Sequence, residues 1–216
     1  MSFPLVIPVW RAFHSAHPVK SGHYRPLLAI AFFTALLFSR SLRAQETVIT
    51  LEPAQTQIEY TLGATLHTVH GKFRLKSGTV RFNPSTGKAS GAIVVDATSG
   101  NSDNEGRDSR MHREILESQK YPEIVFAPVQ VKGTFNPQGL SQVEVSGTLG
   151  LHGQDHELTL PIAVRLAGSQ RTASTHFVVP YQTWGLKNPN TFILRVNDTV
   201  ELDVRAVVHL ASAPAK

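Results

Sequence analysis

Strict alternation of apolar and polar residues governs what this chain can fold into. Leu158, Leu160, Ile162, Val164 and Leu166 alternate with Glu157, Thr159, Pro161, Ala163 and Arg165. Val200, Leu202, Val204, Ala206, Val208 and Leu210 do the same against Glu201, Asp203, Arg205 and His209. Successive side chains of a strand point to opposite faces, so this period marks strands with one buried face. Shorter stretches repeat it at Ile58-Tyr60-Leu62, Phe73-Leu75, Val80-Phe82, Ile124-Phe126, Val129-Val131, Val143-Val145, Leu149-Leu151 and Phe177-Val179. Turn formers separate them: Asn83-Pro84-Ser85-Thr86-Gly87, Asn136-Pro137-Gln138-Gly139, Gly168-Ser169 and Lys187-Asn188-Pro189-Asn190. Many short strands with such turns specify an all-β, antiparallel sandwich or barrel. The phase slips across Ser77-Gly78, which predicts a bulge or bend there.

One stretch keeps a different period. Ser102-Asp103-Asn104-Glu105 reads as a capping box, and Met111, Ile115 and Leu116 fall at helical spacing with Arg110–Glu114 and Arg113–Glu117 pairs. This predicts one short helix over 105–117, packed at the side or end of the sheet. Tyr121-Pro122 then returns the chain to an extended state, because the residue before proline is pushed out of the helical region.

Charge divides the chain. It carries 21 Lys+Arg against 16 Asp+Glu, but Arg11, Lys20, Arg25, Arg40 and Arg43 precede the first acid, Glu46. The remainder is therefore neutral, and nothing in it offers the basic excess that a nucleic-acid partner requires. The N-terminal part combines those basic residues with an apolar run, Leu27–Phe38, shorter than the roughly 20 residues that span a bilayer core. Residues 1–44 are expected to be a signal peptide, cut after Ser41 or Ala44, with a membrane anchor as the alternative. The expectation is a periplasmic domain over 45–216 with no membrane span after signal removal. The absence of cysteine excludes disulfides, thiolate catalysis and cysteine-bound metal clusters.

Recognised catalytic motifs are missing: there is no G-x-S-x-G, no H-E-x-x-H and no glycine-rich phosphate loop. No catalytic residue, cofactor or metal ligand is assigned on these grounds, and the chain is not expected to be an enzyme. Histidine is the one enrichment after residue 44, at His67, His70, His112, His152, His156, His176 and His209. His152 and His156, flanking Gly153-Gln154-Asp155, form the best metal candidate, although a closed site needs about four ligands. Asp108 and His112 stand four apart, as either an acid–base pair or an ordinary helix pair. Trp184, in Tyr181-Gln182-Thr183-Trp184-Gly185-Leu186, reads as a ligand platform at a barrel mouth or as a plug closing its end.

From about Thr47 to Leu210 the chain resembles the YceI-like proteins, exported bacterial proteins associated with binding polyisoprenoid lipids. The most specific part is Gly106-Arg107-Asp108 through Leu116-Glu117 to Lys120-Tyr121-Pro122-Glu123-Ile124-Val125-Phe126, which resembles the family's R-D, helix, K-Y-P-x-I-x-F stretch. Val69-His70-Gly71-Lys72-Phe73, Leu149-Gly150-Leu151-His152-Gly153 with Leu158-Thr159-Leu160, and Trp184-Gly185-Leu186 resemble three further segments. The resemblance implies an extended lipocalin-like barrel of about eight antiparallel strands with one short helix, holding an isoprenoid or other long-chain apolar ligand.

Under that reading the inward parity places Tyr60, Leu62, Phe73, Phe82, Phe126, Leu160, Ile162 and Phe177 in the ligand-binding wall. Arg107 and His112, with Arg110 and Arg113 nearby, would then offer donors to the ligand's head group, a phosphate or a quinone. The alternative for Arg107-Asp108 is that it anchors the helix. Two other classes stay open: a solid-core, stress-related interaction module without lipid, and a histidine-based metal protein. A homodimer is compatible with the sequence as well.

Overall fold

The structure is a computed structural model that describes residues 46–134, 136, 139–167, 170–190 and 195–212. The expected signal peptide and the Gly168-Ser169 turn lie outside the described residues, as does part of the turn at 136–139. Among the described residues there are nine strands: β1 (Thr47–Leu51), β2 (Gln57–Gly63), β3 (Thr68–Phe82), β4 (Ala89–Asn101), β5 (Glu123–Thr134), β6 (Leu140–Leu151), β7 (Gln154–Ala167), β8 (Gln170–Val179) and β9 (Val200–Ser212). All form one antiparallel sheet, and the β3–β4 ladder closes it into a barrel.

Nine strands make eight staves. β1 pairs with Thr79–Phe82 of β3 and Val208–Ser212 of β9, whereas β2 pairs with Thr68–Phe73 of β3 and Glu201–Arg205 of β9. The two therefore occupy one slot in succession, broken by the 3-10 turn Pro53–Gln55. The turn shifts the phase, so that Ile49 and Leu51 face inward before it and Ile58, Tyr60 and Leu62 after it.

The slip expected at Ser77-Gly78 is present as a register shift between Leu75 and Ser77 against β4. Inward residues accordingly change from Phe73 and Leu75 to Val80 and Phe82. A second slip was not legible in the sequence. The register of β5 shifts between Pro128 and Gln130, so Val129 and Val131 do not share a face: Val131 lines the interior and Val129 is 55% exposed. Proline has no N–H for the ladder and is at home at such a bulge.

Among the described residues one rim of the barrel is framed by the β2–β3 hairpin, the helical segment after β4, the His152-Gly153 turn, and the stretches 180–190 and 195–199 between β8 and β9. The opposite rim holds the β3–β4 turn, the ends of β5, β7 and β9, and the starts of β1, β6 and β8. β7 and β8 pair only from Ala163–Ala167 with Gln170–Ser174, which leaves them unpaired toward the helix rim. Trp184 stands at that parting, stacked on His156 with ring centroids 4.1 Å apart and planes 5° from parallel.

The helix is shorter and differently capped than the sequence implies. α1 spans Glu105–Arg110 and continues as a π turn over Met111–Ile115, in which the Leu116 N–H donates to the Met111 carbonyl at 2.9 Å. Its cap is Asn104, whose side chain accepts from the Arg107 N–H at 2.9 Å; the Ser102 capping box does not form. Ser102 is instead buried between two charged partners. Its N–H and hydroxyl donate to the Asp108 carboxylate, while Arg107 Nε donates to its oxygen and Nη2 to its carbonyl, each at 2.7 Å. The Arg110–Glu114 pair forms at 3.2 Å. Arg113 bonds Ser109 rather than Glu117, and Asp108 does not meet His112.

Two outcomes follow from this architecture. Gly91 has φ +115°, and a Cβ there would run into the Thr79 carbonyl oxygen across the ladder. Gly91→Ala is expected to cost about 2 kcal/mol of stability, read in urea as a lower midpoint with an unchanged slope. Asp108→Ala removes the acceptor for two Ser102 donors and is expected to cost about 2–3 kcal/mol in the same assay.

Candidate functional site

The interior is hollow. A cavity of about 1200 Å³ runs from the helix rim, at Arg107, Arg110 and Pro189, to the opposite rim, at Phe82, Pro84 and Thr134. Drug-sized ligand pockets occupy roughly 300–1,000 Å³, so this space exceeds what a compact small molecule needs. Every stave contributes to the wall, from Ile49 on β1 to Leu210 on β9.

Burial gives independent support for a hollow interior. In a filled barrel the inward aromatics would be the most occluded side chains. Among the described residues the largest side chain under 2% exposure is Ser141, and inward-facing Phe73, Phe82, Ile162 and Phe177 are only half-buried. Three buried clusters form along the wall: one around Leu51, Ile58 and Leu75, one around Phe126, Val145 and Leu160, and one around Leu151, Val179 and Leu186.

All eight expected wall residues, Tyr60, Leu62, Phe73, Phe82, Phe126, Leu160, Ile162 and Phe177, line this cavity. Arg107 lines it too, at the helix rim, although its guanidinium also holds Ser102. His112 is not among the lining residues. Its Nε2 stands 2.9 Å from the Gly100 carbonyl oxygen and its Nδ1 3.0 Å from Ser118 Oγ. Since a carbonyl only accepts, Nε2 carries a proton and donates to it, while Nδ1 shares a hydrogen bond with the Ser118 hydroxyl. The ring thus ties the π turn to β4.

Sequence reasoning missed part of the roof. Met111, Ile115 and Leu116, noted only as a helical stripe, turn into the cavity. With Tyr181 and Leu186 they cover the helix rim. The stripe was the signal; what it packs against is set by the closed sheet.

Polar groups gather at this roofed rim. The Tyr60 hydroxyl donates to Met111 Sδ at 3.6 Å, and Gly71, opposite it in the ladder, leaves room for the ring. Burial pushes the Tyr60 phenol above its ordinary pKa, and the Asp108 carboxylate adds to this against the opposing Ser102 hydroxyl and Arg107. Tyr181 donates to the Asn197 carbonyl at 2.6 Å, and burial, helped by Asp198, pushes its pKa up to about 12. Both phenols therefore remain protonated donors at neutral pH. Arg110 Nη1 donates to the Pro189 carbonyl at 3.1 Å.

The histidine candidates do not converge. His152 packs on Tyr121 at 4.7 Å and lies 3.7 Å from the Glu117 carboxylate, while His156 is under Trp184. Among the described residues no group of three or more His, Asp or Glu could hold a metal ion. No described helix is long and apolar enough to cross a membrane.

Comparison with known proteins agrees with this geometry. The structure resembles that of BcnA from Burkholderia cenocepacia, with a TM-score of 0.59 at 16% identity over 74% of this chain and 99% of that one. It also resembles a polyisoprenoid binding domain from Saccharophagus degradans implicated in plant cell wall breakdown, with a TM-score of 0.56 at 18% identity over 77% and 98%. At these identities the likeness concerns the fold. No curated protein matches the chain. The model of the YceI-like domain matches residues 49–208, and the chain belongs to the YceI-like domain family.

Proposed function

We propose that this protein binds one long-chain isoprenoid lipid lengthwise inside its barrel and carries or stores it. The observation that carries the reading is the continuous apolar cavity of about 1200 Å³, walled by every stave. An apolar chain gains by leaving water for such a space in proportion to the area it buries, about 25 cal/mol per Å². The polyisoprenoid binding of the Saccharophagus degradans domain, a protein of similar fold, supports the ligand class.

The head group rests at the helix rim, where the donors are. Its chemistry follows from charge balance there. Arg110 is paired with Glu114, and Arg107 reaches Asp108 through Ser102. The rim therefore offers hydrogen-bond donors without surplus positive charge. That suits a neutral head, a quinone carbonyl or an alcohol, better than a diphosphate, whose burial without paired cations is costly. The basic residues before the apolar run Leu27–Phe38 support export, and we place the mature protein in the periplasm.

Organic extraction of natively purified protein, followed by mass spectrometry, tests the reading. The expected result is a prenylated lipid with a neutral head in near-stoichiometric amount; its repeated absence would favour the interaction-module alternative. Ala173, a half-buried wall residue paired with Ala206 and Val164, gives a second test. Ala173→Phe is expected to keep its melting temperature and lose bound lipid, because the ring enters empty space. A filled interior would instead be overpacked by about 1–3 kcal/mol.

A further inference from the structure

Charge is balanced over the domain and unbalanced along its axis. Within two residues of a strand end or in the turns, the rim opposite the helix carries Arg81, Lys88, Lys132, Arg165 and Arg171 against one acid, Glu46. The helix rim, counted over the same kind of positions, holds six cations and nine acids among the described residues. The next acid on the cationic side is Glu144, opposite Lys132 in the β5–β6 ladder.

These five cations are not committed elsewhere. None takes part in an ion pair among the described residues, whereas Arg110 and Arg113 of the helix both do. Arg81, Lys88, Lys132 and Arg165 are exposed. Arg171 is half-buried, in register with Leu166 and Val208, and its Nε is enclosed without a hydrogen-bond partner. Leu140, 49% exposed, stands on the same rim. The cavity wall reaches it at Phe82, Pro84 and Thr134, and no helix covers it among the described residues.

We propose that this rim docks the barrel onto an anionic bilayer surface, and that the lipid passes between membrane and cavity through it. The inference rests on the reading of the interior as a lipid site and adds where the ligand enters. Basic residues near an anionic bilayer each strengthen binding about five-fold, while the acidic helix rim is repelled, so the axis of the barrel is held upright on the surface. Screening limits the attraction to about 8–10 Å at ordinary salt, which confines it to this rim. In that pose the lipid slides along its own length, head first toward Tyr60 and Arg110, and the tail leaves the bilayer last. A neutral head can make that passage along an apolar wall.

Binding of the full chain to phosphatidylglycerol–phosphatidylcholine vesicles, against pure phosphatidylcholine vesicles, tests the proposal, with the N-terminal segment common to all variants. The triple variant Arg81→Glu, Lys88→Glu, Arg165→Glu is expected to weaken binding to the anionic vesicles by about 100-fold. A control of equal charge change on the helix rim, Arg113→Glu, Lys120→Glu, Lys187→Glu, is expected to stay within about three-fold. If the first triple does not melt cooperatively, glutamine at the same three positions replaces glutamate, with the same expectation of a selective loss. Equal losses in both triples, or no loss in either, would overturn docking by this rim. Organic extracts of the same preparations keep the two readings apart: lipid present with an unaffected rim variant removes the docking alone, and lipid absent from every preparation removes the cavity reading.

Discussion

Closure of the sheet through the β3–β4 ladder is the constraint on which the rest depends. An open sheet of these strands would leave edges to pair with other chains and would have to bury its apolar face against another layer. Closing it turns that face upon itself. The bulges in β3 and β5 and the break between β1 and β2 bend the staves, and each shifts the inward parity to keep apolar residues inside. The resulting circumference is larger than the inward side chains fill, so Phe73, Phe82 and Phe177 stay half-buried and a cavity remains.

Such an interior is expensive for a protein on its own, because wall atoms without partners across a void forgo dispersion contacts. A bound apolar chain would supply them. The same logic explains the sparse distribution of polar groups: a buried hydroxyl or guanidinium needs a partner, and the partners are assembled at the helix rim by Ser102, Asp108 and the carbonyls of Asn197 and Pro189. The helix therefore has two duties. Its polar side secures it to Gly100 of β4 through His112 and to Ser102, just past the strand, through Arg107 and Asp108, and its apolar side roofs the cavity with Met111, Ile115 and Leu116.

How much of this was legible in the sequence depended on whether a segment's own pattern determined its surroundings. β7 and β9 alternate over ten residues or more and could be read directly, together with their inward face. β4 escaped notice because its apolar residues, Ala92 to Val95, are contiguous and set among Ser, Gly and Thr, so period two is not visible. β1 escaped for a similar reason: only two apolar residues, Ile49 and Leu51, turn inward with Thr47 before the 3-10 turn resets the phase. The wall residues were recoverable because parity propagates along a strand. His112, by contrast, was read as a head-group donor from its neighbours in sequence, whereas its partners Gly100 and Ser118 are set by the π turn. Local pattern does not reveal a turn of that kind, nor the exchange of cap from Ser102 to Asn104.

On the proposed function the interior is a space kept open for a long apolar chain. An experimental structure of the natively purified, unstripped protein tests it most directly. The expected result is continuous rod-shaped density along the axis, flanked by Phe73, Phe126 and Phe177, with its polar end near Tyr60 and Arg110. An interior closed by rearranged wall side chains, with opposite staves in contact and no such density, would contradict it.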